Sequence, residues 1–563
     1  MTTKRVRLLL PAVCVGLACM AASAKESEDA GGSLVMRRLT PEQYRETIAD
    51  VFGRGIALPG RFEPDKRVDG LMAVGTGQVN VTAAGLEQYD AIARAVAAQV
   101  VSESRRATLI PCTPVAADRA DDVCARQFFA EAGRYLYRRP LTEAELGLWV
   151  GVAGGAATAS GDFYAGLGTG LANILVSLPF LFRQEAAIID PERPGLLRTD
   201  PYTTASRLSF FLWNAPPDER LLAAAASGAL NTKKGIAREA DRLLSSPRLE
   251  TGVRAFFADM FHFSEFDRLS KDHVIYPKFT GQSAKDAAEQ TLRTAVGVVL
   301  ADHGDYRDLF TTRKTFLTPT LGALYGVPVV QVAALGAPEP WTAHIYPAGD
   351  PRAGILTQAS FVALHSHPGR SSPTLRGKAL REIFLCQAVP PPPGNVNFDI
   401  AQDTGNPDYK TARARLTAHR TDPTCAGCHK LLDPVGLALE TFDSAAGLRA
   451  TENDEPIDTS GDLDGIPFAD SAGLGKAVHD NPATTACLVR RLSSAALGRS
   501  IGTGDAAWMK ALDEGFADDG YRLPELMRRI ATSEAMVRIA PAASQTAAAQ
   551  TEAAGAPRQE QQP

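Results

Sequence analysis

The chain has 563 residues, 45% of them hydrophobic, and a formal net charge of −5. An acidity this mild, with no basic run, speaks against nucleic acid as a partner. The length exceeds what one ordinary core serves, so about three to five structural units are expected.

Lys4, Arg5 and Arg7 precede an apolar run from Leu8 to Ala18, and Ala22-Ser23-Ala24 places small residues where a signal peptidase reads. Residues 1–24 therefore read as a cleaved secretory signal, whose apolar part is too short to span a bilayer. An uncleaved anchor is the alternative. Cys19 follows Gly16-Leu17-Ala18, a poor match to a lipoprotein box. No later stretch has the length and purity of a membrane helix, so the mature chain is expected to be periplasmic or secreted, with no transmembrane span.

Thr40-Pro41-Glu42-Gln43 is a capping box with proline in the first helical turn, and Gly53 closes that helix. Thr142-Glu143-Ala144-Glu145 repeats the device after Arg138-Arg139-Pro140. The segment Thr204 to Trp213 is apolar at helical spacing and stops before Pro216-Pro217. Helical patterning returns at Ala284 to Leu300, Leu375 to Cys386, Thr484 to Leu497 and Pro524 to Val537. Alternating runs are few, so the fold class is mainly α and multi-domain. Pro- and Gly-rich punctuation suggests helical units at 25–110, 111–192, 193–345, 346–450 and 451–540. Pro390 to Gly394 is a stiff spacer within the fourth. The tail, 541–563, lacks any apolar period and reads as disordered.

Six cysteines follow the signal segment. Cys425-Ala426-Gly427-Cys428-His429 is the informative pattern. Covalent attachment of haem c needs two thiols one helical turn apart, for thioethers to the vinyl groups, and an imidazole beside them for the iron. Thr421-Asp422-Pro423-Thr424 is a good helix start, and Ala426 and Gly427 leave room for a porphyrin. A zinc tetrad would want a second CxxC, and a thioredoxin-like dithiol a βαβ context; neither is present. The cofactor expected is one covalent haem c on Cys425 and Cys428, with His429 as proximal iron ligand, in the unit 346–450.

In an exported chain the other four cysteines are expected to pair. Cys112 and Cys124 bracket a short loop, and Cys386 with Cys487 follows by elimination; buried free thiols are the alternative. Downstream of the motif, Asp433-Pro434-Val435-Gly436 reads as a turn whose carbonyl takes the Nδ1–H of His429, with Leu437, Leu439 and Phe442 walling the haem. Met509, beside Trp508, is the tentative distal ligand; His365, His367 and His419 are the upstream candidates. Arg370, Arg376 and Arg381 read either as propionate partners or as solvated helix charges. Asp454, Glu455, Asp458, Asp462 and Asp464 do not match an EF-hand and read as a solvated turn. There is no P-loop or dinucleotide fingerprint, so no nucleotide-dependent catalytic residue is assigned.

Motifs along the chain resemble the secreted, multi-domain c-cytochrome family of planctomycete type, catalogued as domains of unknown function. They are Arg37-Arg38-Leu39-Thr40 with Asp50-Val51-Phe52-Gly53; Tyr137 to Thr142 with Pro179 to Arg183; Ser206 to Trp213 with Thr315-Phe316-Leu317 and Leu324-Tyr325-Gly326; Gly354 to Gln358 through Asp422 to Asp443; and Cys487 to Arg499. The resemblance implies a haem protein with a long helical body but carries little reaction chemistry. Many relatives bear a further cytochrome domain, whereas this chain has one CxxCH. The leading expectation is periplasmic electron transfer or redox chemistry with a redox partner protein. The alternatives are a haem oxidoreductase of peroxidase or oxygenase type acting on a small organic substrate, and a binding or scaffolding protein with structural haem.

Overall fold

The computed structural model describes residues 32–329, 341–391, 403–421 and 423–540. The signal segment with Cys19, Pro392 to Gly394, Asp422 and the tail 541–563 lie outside the described residues. The fold is mainly α, with four two-stranded sheets and one three-stranded antiparallel sheet among the described residues. No helix of the described residues is long and apolar enough to cross a membrane.

The helices that matter below are numbered in chain order: α1 (Pro41–Phe52), α2 (Ala83–Val100), α3 (Asp122–Leu136), α4 (Glu143–Ser160), α5 (Phe163–Val176), α6 (Pro201–Trp213), α7 (Gly281–Val296), α8 (Ala359–Leu364), α9 (Pro373–Phe384), α10 (Ala412–His419), α11 (Pro423–Leu437), α12 (Pro482–Leu497), α13 (Ala506–Asp518) and α14 (Leu523–Ala531). Local chemistry sets their ends. Thr40 and Thr142 form the expected capping boxes with Gln43 and Glu145. Helices α6, α9 and α12 start two or three residues before the apolar pattern does. Each has proline in its first turn and a capping side chain ahead of it, from Asp200, Ser372 and Asn481. Helix α7 ends in a π-turn, Gly297–Ala301, and α14 stops at Ala531, short of the expected Val537.

Two hydrophobic cores organise these elements. Helices α1 to α5 enclose one, built around Tyr44, Tyr89, Phe128, Phe129, Leu171 and Phe180. Helices α6 to α9 and α11 to α14 share the other, which runs from Leu208 and Trp213 through Phe384 and Phe442 to Leu526 and Met536. Among the described residues the first two of the expected units thus share most of one core and the next three most of the other, with Leu71 and Val74 in the second core and Phe210 in the first.

The junction between the cores is ionic. Strand Arg37–Arg38 pairs antiparallel with Phe182–Arg183. Beside it the buried Glu185 accepts from Arg37 at 3.3 Å, from Arg207 at 2.6 and 2.9 Å, and from the Val35 amide at 2.9 Å. Arg207 also reaches the Met536 carbonyl at 2.8 Å. Arg138, in left-handed backbone at φ 59°, donates to the carbonyls of Leu136, Pro179, Phe180 and Phe182. This binds the Tyr137 to Thr142 motif to the Pro179 to Arg183 motif.

The structure joins Cys112 to Cys124 and Cys386 to Cys487, with Cα atoms 5.6 and 5.3 Å apart. The second bridge ties the chain leaving α9 to α12.

Candidate functional site

Helix α11 carries the CxxCH motif and is held by α9, α10 and the hairpin strand Gly461–Leu463. Its contact with α9 is backbone to backbone. A Cβ on Gly377 would lie 2.0 Å from the Leu432 carbonyl oxygen, and one on Gly436 would lie 1.8 Å from that of Pro373. Both positions therefore admit only glycine without moving a helix. Polar anchors run along the same seam. Arg381 Nε donates to the Leu431 carbonyl at 2.9 Å, and Thr374 Oγ1 donates to Asp433 Oδ1 at 2.9 Å. Arg376, fully buried, donates to Glu440 at 3.1 Å and to the carbonyls of Leu439, Phe442 and Asp443 at 2.8, 3.0 and 2.8 Å. Burial pushes its pKa down to about 10, and the Glu440 carboxylate and the carbonyls keep the cation bound. Glu440 also accepts from Arg449 at 2.6 Å and from Ser371 at 2.8 Å.

Around the motif, Cys425 is buried and Cys428 exposed. One helical turn separates them, and an added Cβ on Gly427 would meet nothing within 4 Å. The imidazole of His429 is fixed on two sides. Its Nδ1 lies 2.9 and 3.1 Å from the two oxygens of Asp433, a side chain 1% exposed. The buried His419, at the end of α10, sets its ring 4.8 Å from that of His429 at an interplanar angle of 78°.

This corrects the expected turn at 433–436. Helix α11 runs through Pro434 to Leu437, so Asp433 stands one helical turn beyond His429 on the same face, and its carboxylate replaces the expected backbone carbonyl. The i, i+4 spacing of His429 and Asp433 was the available signal. The contact with His419 carried no comparable signal.

The other candidates are distributed differently. Leu439 and Phe442 lie in the large core, and Leu437 packs on Ala412 and Leu416 of α10. Arg376 and Arg381 are engaged by protein groups, Arg381 also with Asp464 at 3.0 Å. Arg370 is partly buried beside the charge of Arg415, which lowers its pKa further than burial alone. Met509 is partly buried on α13, which packs on α12 and α14. His365 stacks edge-on with Phe361 at 4.8 Å and lines a small cavity with Phe261, Phe263, Thr291, Ile383 and Phe384. Burial first, then Arg376 and Lys271, push its pKa down to about 3. His367 is shifted in the same direction by burial, Arg370 and Lys271. The acidic residues Asp454, Glu455, Asp458, Asp462 and Asp464 are exposed, and three of them pair with Lys410, Arg413 and Arg381.

The donor set fits a covalently attached porphyrin on three counts. Two thiols share one helical face, open space lies over Gly427, and a carboxylate holds Nδ1 so that Nε2 is the nitrogen left to ligate iron.

Five family models match in order, each described as a protein of unknown function: DUF1587 at residues 37–102, DUF1595 at 124–185, DUF1592 at 199–327, DUF1588 at 352–452 and DUF1585 at 464–536. No curated protein and no solved structure matches the chain. The CxxCH helix and its α9 brace fall inside the DUF1588 match. These five domains are those of the planctomycete-type multi-domain cytochrome c family, to which the chain is thereby related.

Proposed function

We propose that this protein is an exported c-type haem protein, with one haem bound through Cys425 and Cys428 and ligated by His429. It serves electron transfer or redox chemistry in the periplasm or outside the cell. The observation that carries this reading is the His429–Asp433 pair on the CxxCH helix. It leaves one imidazole nitrogen directed for a metal, next to two thiols one turn apart. The bound group would supply a one-electron Fe(III)/Fe(II) couple. The protein's part would be to hold it through Cys425 and Cys428 and to orient the His429 imidazole through Asp433. The two disulfides are in keeping with an oxidising compartment, as is the signal segment read at residues 1–24. Relatedness to a cytochrome c-type family supports the same reading.

The test is expression with a c-type maturation system, followed by haem staining of denatured protein. The wild-type chain should retain haem, and Cys425→Ala with Cys428→Ala should lose it. Haem retained by the double variant would sink the proposal. Met509 stays the proposed sixth ligand. Met509→Ala should remove a weak sulfur-to-iron band at the red end of the oxidised spectrum, and an unchanged spectrum would reject it.

A further inference from the structure

The hydrogen-bond partner of the proximal imidazole carries an inference that rests on the haem reading and goes beyond it. Among the described residues Asp433 accepts only from His429 Nδ1, at 2.9 and 3.1 Å, and from Thr374 Oγ1, at 2.9 Å. It is fully buried, and no arginine or lysine of the described residues pairs with it. An imidazole N–H that donates to a carboxylate, away from water, shifts proton density toward the acceptor and leaves the far nitrogen richer in electrons. A carbonyl acceptor does this far less. An electron-rich axial nitrogen stabilises the more positive Fe(III) over Fe(II), so the potential falls.

We propose that Asp433 is a positioning residue that gives the His429 imidazole imidazolate character and sets the haem at low potential, biased toward the ferric state. The neighbourhood is built for that effect. Glycine contacts at Gly377 and Gly436 hold α11 against α9, which seats the fully buried Asp433 beside the partly buried Thr374. His419 packs at right angles on the same ring and limits its rotation. Thr374 competes for one carboxylate oxygen and moderates the bond to His429.

Two substitutions therefore act in opposite directions. Asp433→Asn keeps the size but removes the charge, and the potential should rise. Thr374→Val removes the competing donor without touching the pair, and the potential should fall. The measurement is a potentiometric titration of the haem-loaded full chain. It is paired with the C–O stretch of the reduced carbon monoxide adduct, which reads the donor strength of the ligand opposite. Asp433→Asn should change the Fe(III)/Fe(II) equilibrium at least tenfold, about 59 mV for one electron, and raise the C–O frequency. If Asp433→Asn fails to fold, the fall in Thr374→Val carries the test. Haem-loaded variants that stay within threefold of wild type, or shift in the same direction, would overturn the role of Asp433 while leaving the haem reading intact. A wild-type chain that takes up no haem under c-type maturation would remove both.

Discussion

Two buried carboxylates in this molecule, Glu185 and Asp433, have opposite surroundings. Glu185 sits at the junction of the two cores, where guanidinium groups of Arg37 and Arg207 and a backbone amide fill its acceptor positions. Asp433 has no guanidinium partner among the described residues. It is held by a hydroxyl and by an imidazole whose second nitrogen is left for another partner. The first arrangement is closed and locks two halves of the chain. The second, on the haem reading proposed above, would pass its charge through His429 to the bound iron. Burial of charge therefore does not distinguish a structural centre from a functional one; the spare valence of the partner does.

The comparison is broken hardest by removing the cations of the closed type. Arg376→Ala strands three carbonyls beneath the CxxCH helix and leaves Glu440 with Arg449 and Ser371 alone, and should cost about 3 kcal/mol, read by chemical denaturation. Loss of the Cys386–Cys487 bridge in a double serine variant should cost up to ~4–5 kcal/mol in the chain-entropy model, since the two residues are 101 apart. The readout is the difference in denaturation midpoint between the double variant and the wild-type chain.

Acid tests the Glu185 junction directly. Burial alone would raise the pKa of Glu185, but Arg207 and Arg37 outweigh it and hold the value at about 2. The folded value lies below that of the unfolded chain, so the stabilisation is complete above about pH 4.5. It is lost as pH falls toward 2. Glu185→Gln should lower stability at neutral pH and flatten the acid unfolding curve in that window. A variant with wild-type acid sensitivity would contradict the account of the junction. The smallest effect is expected at Met509, partly buried on α13: Met509→Ala should cost about 1 kcal/mol, whatever it does to the spectrum.

Much of this was legible in the residues. Thr40 and Thr142 announced their helices through capping boxes, because those signals are local. The starts of α6, α9 and α12 were read late because proline and its capping residue precede the apolar pattern. The CxxCH motif placed the thiols and imidazole on one helix. The role of Asp433 was missed because Pro434 reads as a helix breaker, yet the helix continues through it, held by α9 through contacts at Gly377 and Gly436. Arg376 was read either as a propionate partner or as a solvated helix charge. Besides Ser366, its acceptors lie 63 to 67 residues along the chain, and no local pattern reports such pairings.

The most direct test of the central claim is the intact mass of the exported full chain, followed by mass mapping of the peptide spanning Cys425 to His429. The account predicts one covalently added haem, localised to that peptide, with the other four cysteines in the Cys112–Cys124 and Cys386–Cys487 bridges. A chain that passes through c-type maturation with both thiols of the motif unmodified would contradict it.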